Sequence, residues 1–385
     1  MSNDDRTPVL VSAARTPIGR FGGALRSVAA TDLGAAAVVG ALDPLGDFVP
    51  DHVYLGNVVQ AGNGQNPARS AAVKASIPTT VPATTLNNVC LASMTATSLA
   101  ATLIRAGEID SAVIGGFDSM SRALHGVQVR QAMRVGDGEL VDLLVRDGLW
   151  CAQANEGMGP ISDRANQQLG ISRQAQDEFA NESHRRAAEA TTSGRFAKEI
   201  VVHSELAEDE GLRPDTTVAR LSRLRPAFTE GGSVTAGNAS QMADAGAAGV
   251  LMAAGSAREQ GFTPMVQIID SAIVAGPDFS LHLKPADAVK KLLARNRMTT
   301  DDIGLWEINE AFAGVVLASA KEINIDLDRV NVNGGAIALG HPLGASGFRI
   351  IHTLAVEMRE RQTDFGIATL CGGGGQGQAI LLKLV

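Results

Sequence analysis

Four residues in this sequence are of types that do chemistry and stand in unusual company: Cys90, Asn309, His341 and Cys371. His341 sits between Gly340 and Pro342, with Gly335 and Gly344 to either side. Glycine permits close approaches that other residues do not, and Pro342 fixes its own φ while pressing His341 toward extended backbone. The imidazole is therefore presented by stiff chain. Cys90 lies between a short strand-like run and a helix of small and apolar residues. A helix N-terminus favours thiolate over thiol, and a thiolate beside an imidazole is an activated nucleophile for acyl transfer. Cys371 differs in kind, because Gly372 to Gly375 follow it without a break. Such a run offers backbone N–H groups at close range, the material of an oxyanion hole. Asn309, in Asn309-Glu310-Ala311-Phe312, closes one strand and opens a helix. It can cap that helix or hold a water that donates to a thioester oxygen. Singly, each has a plainer explanation: a satisfied loop histidine, a buried structural thiol, a helix cap. Their joint presence favours chemistry. Cys151 has no such setting and is assigned no role.

The elements that must position these residues alternate. Residues 9–14 read as a buried strand, and Thr31 and Asp32 cap an Ala-rich helix running to Leu42. A strand over 53–59, a helix over 65–75 with Pro67 in its first turn, and a strand over 84–87 lead directly to Cys90. The helix at 94–106 is apolar nearly all round, which predicts burial, and the strand from 110 to 114 ends at Gly115-Gly116. This is the grammar of a parallel sheet. From 118 to 242 charged residues concentrate and periodicity is irregular, with one clear helix at 172–191; residues 231–244 are glycine-rich loop. Helix 245–257, strand 266–275, helix 286–295, strand 305–308, helix 310–323 and strand 330–333 follow. Helix 345–361 and strands 365–370 and 378–385 complete the chain. The stretch leading through Cys90 to Gly115-Gly116 and the one leading through His341 to Cys371-Gly372-Gly373 match in order, a weak internal repeat. Two such halves face to face bring Cys90 and His341 together.

Composition narrows the class. A chain of 385 residues holds two or more units with cores of their own. With 45% apolar residues, 42 glycines and only 4% aromatics, a tightly packed α/β protein is expected. A net charge of −8 argues against general nucleic-acid binding. No apolar run is expected to reach the ~18 residues that a membrane span needs. The polar, acidic N-terminus is neither a secretory nor a transit peptide, and Val385 closes no peroxisomal signal. Three widely spaced cysteines make no disulfide framework or metal site, so a reduced, cytoplasmic protein is expected.

The motifs resemble those of the thiolases, the acyl-CoA acetyltransferase family, over essentially the whole length. They include Ala14-Arg15-Thr16-Pro17-Ile18-Gly19, Gly56-Asn57-Val58, Gly64-Gln65-Asn66-Pro67-Ala68-Arg69, Cys90 and Ser119-Met120-Ser121. Thr235-Ala236-Gly237-Asn238-Ala239-Ser240, Asn309-Glu310-Ala311-Phe312, Gly340-His341-Pro342 and Cys371-Gly372-Gly373-Gly374 follow in order. The resemblance implies two similar α/β halves in a layered αβαβα arrangement with an inserted loop domain. Its divisions are 1–117 with 249–265, the CoA-binding insertion 118–248, and 266–385. It also implies ping-pong transfer, cleaving a 3-ketoacyl-CoA with CoA or condensing two acetyl-CoA. Cys90 is then the nucleophile, and His341 is its base and, with a water held by Asn309, one oxyanion hole. Cys371 is the second acid/base, and the N–H groups of Cys90 and Gly373 are the second hole. Arg213, Ser240 and Ala236 match positions contacting CoA, and Leu149, Met158, Phe228 and Phe312 match walls of the pantetheine and acyl tunnel. CoA is substrate and product, with no tightly bound cofactor or metal, no nucleic acid or membrane partner, and a homodimer or homotetramer as the assembly.

The chain departs from the family pattern at Leu91-Ala92-Ser93 after the nucleophile and at Gly157, where a histidine is common. It departs again at His282-Leu283-Lys284, in place of a glycine-rich turn beside the acyl tunnel. These touch chain-length preference, not the catalytic set. A β-ketoacyl synthase shares the fold but carries a second His or an Asn where Cys371 stands. A papain-like hydrolase leaves Cys371 unexplained. A non-catalytic acyl-CoA or lipid-binding relative would have lost a catalytic residue.

Overall fold

The structure, a computed structural model, describes residues 4–130 and 135–385. The first three residues of the acidic N-terminus and residues 131–134 of the insertion lie outside the described residues. The first half is built from β1 (Pro8–Arg15), α1 (Ala30–Leu42), β2 (His52–Gly56), α2 (Pro67–Lys74), β3 (Ala83–Leu86), α3 (Ala92–Ala106) and β4 (Ser111–Ser119). After α4 (Met158–Leu169) and α5 (Arg173–Thr192) of the insertion, β5 (Ala243–Ala253) completes that half. The second half holds β6 (Val266–Ala275), α6 (Lys284–Asn296), β7 (Leu305–Ile308), α7 (Ala313–Glu322), α8 (Leu343–Arg361), β8 (Phe365–Gly372) and β9 (Gln376–Leu384).

These nine strands lie in the order β7-β8-β9-β6-β1-β5-β4-β2-β3, with the short strand Gly19–Arg20 added against β5. The halves meet where β1 and β6 pair over only two residues. Outward from that seam the orders β1-β5-β4-β2-β3 and β6-β9-β8-β7 correspond. The correspondence extends to the fifth position: Val330 makes a parallel bridge to Trp306 of β7, as β3 runs parallel to β2. Helices α3 and α8 occupy equivalent places and pack on each other between the sheets. A Cβ at Gly347 of α8 would fall 2.8 Å from the Met94 nitrogen of α3, so the two axes approach closely. Their shared cluster includes Met94, Ile104, Phe348 and Ile351. Outer clusters form under α1 and α2 and under α6 and α7. The expected αβαβα layering is present.

Several local expectations are overturned. Residues 245–257 form not a helix but β5, followed by a short helix at Ala254–Glu259. All eleven β5 residues are buried, between β1 and β4 in the sheet and between α1 and α8 across it. A Cβ at Gly246 would sit 2.4 Å from the Leu33 carbonyl oxygen, and one at Gly249 2.4 Å from Cζ of Phe348. The alanines that read as helix formers are there because only small side chains fit under helices on both faces. Residues 330–333 are a turn rather than a strand, with Asn331 at φ 47°. The Asn331 side chain does a strand's work, accepting from Ile308 N–H and donating to its carbonyl, each at 2.8 Å.

Thr31 and Asp32 do not cap α1, which begins at Ala30; they receive the Lys74 ammonium from α2. Helix α7 starts at Ala313 behind Phe312, so Asn309 is no cap either. Helix α3 is buried on one face only, with Leu99 and Leu103 half-buried. Its window Val89–Ala106 has mean hydropathy 1.4, so one stretch is apolar and long enough to span a membrane although serines and threonines interrupt it. Half of it is enclosed by the protein.

Candidate active site

Cys90 and His341 arrive from corresponding places, each just before a middle-layer helix, as the repeat leads one to expect. Val89 precedes the cysteine at φ 48°, a left-handed conformation that a β-branched residue adopts only under constraint. Asn87 supplies part of that constraint, its Oδ1 accepting from Val89 N–H at 3.0 Å. His341 is held by its own N–H on the Gln241 carbonyl at 2.8 Å. Gly340 before it, at φ 115°, lies where a Cβ would meet Ala243 at 2.7 Å. Cys371 ends β8 and is buried.

These three side chains line one cavity of about 70 Å³. Gly373, Leu149, Met158, Ser240 and Phe312 also line it. Leu281 and Leu343 are walls the sequence did not single out. One expected tunnel wall, Phe228, and two expected CoA contacts, Ala236 and Arg213, lie away from it. Phe228 is exposed but stands edge-on to Phe312, with centroids 6.4 Å apart. Ala236 and Arg213 are exposed, and the Arg213 N–H donates to Nδ1 of His184. Cys151 is buried, its sulfur accepting from Ala154 N–H.

The imidazole's protonation follows from its neighbours. Ser346 Oγ donates to the Pro342 carbonyl at 2.8 Å and lies 2.6 Å from His341 Nδ1. A hydroxyl has one proton, so Nδ1–H donates to Ser346 and Nε2 keeps a free lone pair. Asn309 Nδ2 stands 3.5 Å from that Nε2, and Asn309 Oδ1 is buried without a partner among the described residues. Burial, with Arg349 adding to it, lowers His341 to about 3. The imidazole is neutral at physiological pH.

The thiols behave differently from the sequence expectation. Burial pushes Cys90 up to about 12, Asp118 adding to the rise, while the N–H groups of Gly373 and of Cys90 itself pull it down. Desolvation outweighs the helix N-terminus, and the resting group is a thiol, not a thiolate. Those two N–H groups therefore lie beside the sulfur. Cys371 is raised further by burial and by the neighbouring Cys90.

Two buried carboxylates brace the site. Glu310 accepts from Ser183 Oγ at 2.7 Å, Asn331 Nδ2 at 3.0 Å and Ile337 N–H at 3.0 Å, tying α5 and the His341 loop to the residue after Asn309. Asp118 accepts from the N–H groups of Val58, Val59 and Gly344 and from Asn57 Nδ2. Sequence reasoning passed over both, and over Ser346. Glu310 had a signal, standing inside the Asn309 motif; the other two act through folded geometry alone.

A model of the thiolase N-terminal domain matches residues 8–255, and one of the thiolase C-terminal domain matches residues 262–384. A probable acetyl-CoA acetyltransferase of Mycolicibacterium smegmatis is 45% identical, covering 97% of this chain and 100% of its own. The acetyl-CoA acetyltransferases of Cupriavidus necator and Escherichia coli are each 43% identical, over 97% of this chain and 98% of theirs. With both domain models matched and likeness sustained end to end, this chain belongs to the thiolase family, a family of acyltransferases.

Proposed function

We propose that this protein is an acetyl-CoA acetyltransferase working by ping-pong transfer through acyl-Cys90. What carries the reading is that one imidazole and two thiols share one small cavity beside the N–H groups of Cys90 and Gly373. The Cys90 thiol attacks an acyl-CoA carbonyl while its proton passes to His341 Nε2. The N–H groups of Cys90 and Gly373 form one oxyanion hole; His341 Nε2–H and a water held by Asn309 form the other. The departing CoA sulfur takes the Cys371 proton. The thiolate left behind is a strong base, since burial holds that thiol high. It removes the α-proton of a second acetyl-CoA, whose enolate attacks acyl-Cys90, and His341 returns its proton to the cysteine. In reverse, a 3-ketoacyl-CoA is cleaved by CoA.

Leu149, Met158, Phe228 and Phe312 are the pantetheine and acyl walls in this reading, supported by the place of Leu149, Met158 and Phe312 around the thiols and by the packing of Phe228 on Phe312. Arg213, Ala236 and Ser240 are its CoA contacts, supported by the exposure of Arg213 and Ala236 and by the place of Ser240 at the cavity. The divisions 1–117 with 249–265, 118–248 and 266–385 belong to the same reading, with the insertion's end drawn back to residue 242 because β5 (Ala243–Ala253) is one strand of the first half. A homodimer or homotetramer fits β3, an edge strand beside the half-buried Leu99 and Leu103. Three free cysteines fit a reducing cytoplasm. Initial rates of acetoacetyl-CoA thiolysis, with both substrates varied, test the reading. Parallel double-reciprocal lines are expected, and intersecting lines would exclude a free acyl-enzyme.

A further inference from the structure

The connection between β6 and α6, residues 276–283, takes no part in the chemistry above, yet it is anchored by two buried polar side chains. His282 has no exposed surface, and its Nε2 lies 2.7 Å from Oδ1 of Asn166 in α4. Asn166 Nδ2 donates to Gln176 and to Ser233, each at 3.1 Å, which fixes the amide so that Oδ1 faces the imidazole. Ser319 of α7 donates to the His282 carbonyl at 2.7 Å. Lys284 is 2% exposed; its Nζ donates to the Gly276 carbonyl at 2.8 Å and stands 3.1 Å from Asp278. The lysine thereby closes the connection on itself. The closed loop lies on the glycine run behind Cys371. Gly276 N–H donates to the Gly375 carbonyl at 3.0 Å, and a Cβ at Gly375 would sit 2.1 Å from the Asp278 carbonyl oxygen.

Leu281 stands between the anchors. It is 3% exposed, packs with Phe312 and Cys371, and faces the catalytic cavity. That cavity, about 70 Å³, is small, and Leu281 is one of the apolar side chains that bound it beside the thiols. An apolar loop would cover the site with less desolvation cost; buried polar anchors instead select one position of the wall.

We propose that His282 and Lys284 are specificity-determining positioning residues, holding Leu281 as the end wall of the acyl pocket so that only short acyl groups are transferred. The proposal rests on the acetyltransferase reading above. Neither residue touches reacting atoms.

The test is the ratio of kcat/KM for thiolysis of acetoacetyl-CoA to that of 3-ketooctanoyl-CoA, measured on the full chain. The wild type is expected to favour the short substrate by about a hundredfold or more, as a filled hydrophobic pocket does. Lys284→Met and His282→Ala are expected to lower that ratio about tenfold, chiefly through a smaller KM for the long substrate. His282→Gln, which can still donate to Asn166, is expected to restore it. Leu281→Ala removes the wall and leaves both anchors, so it keeps the proposal refutable if Lys284→Met fails to fold. A general structural defect would depress both substrates together and leave the ratio unchanged, and that result in the anchor variants overturns the proposal. Equal wild-type activity on both substrates overturns the wall while the acetyltransferase reading stands. No activity on either overturns both.

Discussion

At the scale of single residues, the resting nucleophile and base are both uncharged. With His341 lowered to about 3 and Cys90 raised to about 12, each by burial first, thiol and imidazole keep their forms across the neutral range. Nucleophile activation therefore depends on proton transfer during attack rather than on a preformed ion pair. The single-turnover rate of Cys90 acetylation is expected to be flat from about pH 5 to pH 9. A limb near 6.5 in a rapid-quench pH series would show an exposed, titrating imidazole instead. The same argument gives Ser346 its part. Ser346→Ala removes the acceptor for Nδ1–H and frees the ring to adopt the other tautomer. It should cut kcat roughly tenfold to a hundredfold with little change in KM. An unaltered kcat would show that packing alone sets the tautomer.

At the scale of elements, β5 is the part of the molecule least tolerant of added volume. Gly249→Val would drive side-chain atoms into Phe348 and toward the Ser12 carbonyl, where a Cβ alone already falls at 2.4 and 2.8 Å. A loss of about 3 kcal/mol is expected in urea unfolding, and a loss below about 0.5 kcal/mol would mean the layers can part at no great cost. This strand also shows where sequence reading runs out. Alternation or a compact apolar run marks a strand when its residues are large, as in Val266–Ala275 and Leu305–Ile308, both read correctly. Residues 245–249 are alanine and glycine because helices press on both faces, and that pressure is a tertiary fact. The turn at 330–333 is opaque for a related reason, since Asn331 replaces strand hydrogen bonds with its side chain. His341 and Cys371 stood out because the glycines and proline around them are costly to explain otherwise, Cys90 because it stands between a strand and a helix, and Asn309 through its motif. Ser346 and Asp118 were not, because a serine or aspartate gains its meaning from the atoms it meets. The protonation of Cys90 was misjudged because a helix N-terminus can be read from sequence and desolvation cannot.

At the scale of the whole molecule, an ion cluster binds the insertion to both halves. Glu199 of the insertion meets Arg15 of β1 at 2.9 Å, while Arg195 reaches Glu199 at 2.9 Å and Glu357 of α8 at 2.8 Å. Burial by itself would raise Glu199, but Arg15, His352 and Arg195 together hold it down to about 2. A carboxyl so depressed contributes stability that is full above its ordinary 4.5 and is lost as pH falls toward 2. His341, His352 and His282 act in the same direction, lowered by burial to between about 3 and 4. The unfolded chain protonates them first, near 6.5, so their contribution also fades as pH falls below that value. Tm should decline from about pH 6 downward and steeply below pH 4.5. Glu199→Gln should flatten the lower part of that decline and cost about 3 kcal/mol at pH 7, since it leaves Arg15 short of a partner. An unchanged acid profile in calorimetry would place the pH sensitivity elsewhere.

The central claim is that the two thiols divide the work, Cys90 carrying the acyl group and Cys371 the proton. The most direct measurement is peptide mass spectrometry on Cys371→Ala after incubation with acetyl-CoA in deuterated water. The account predicts acetyl on the peptide bearing Cys90 and no deuterium at the α-carbon of recovered acetyl-CoA. Acetyl on any other residue, or normal α-proton exchange without Cys371, would contradict it.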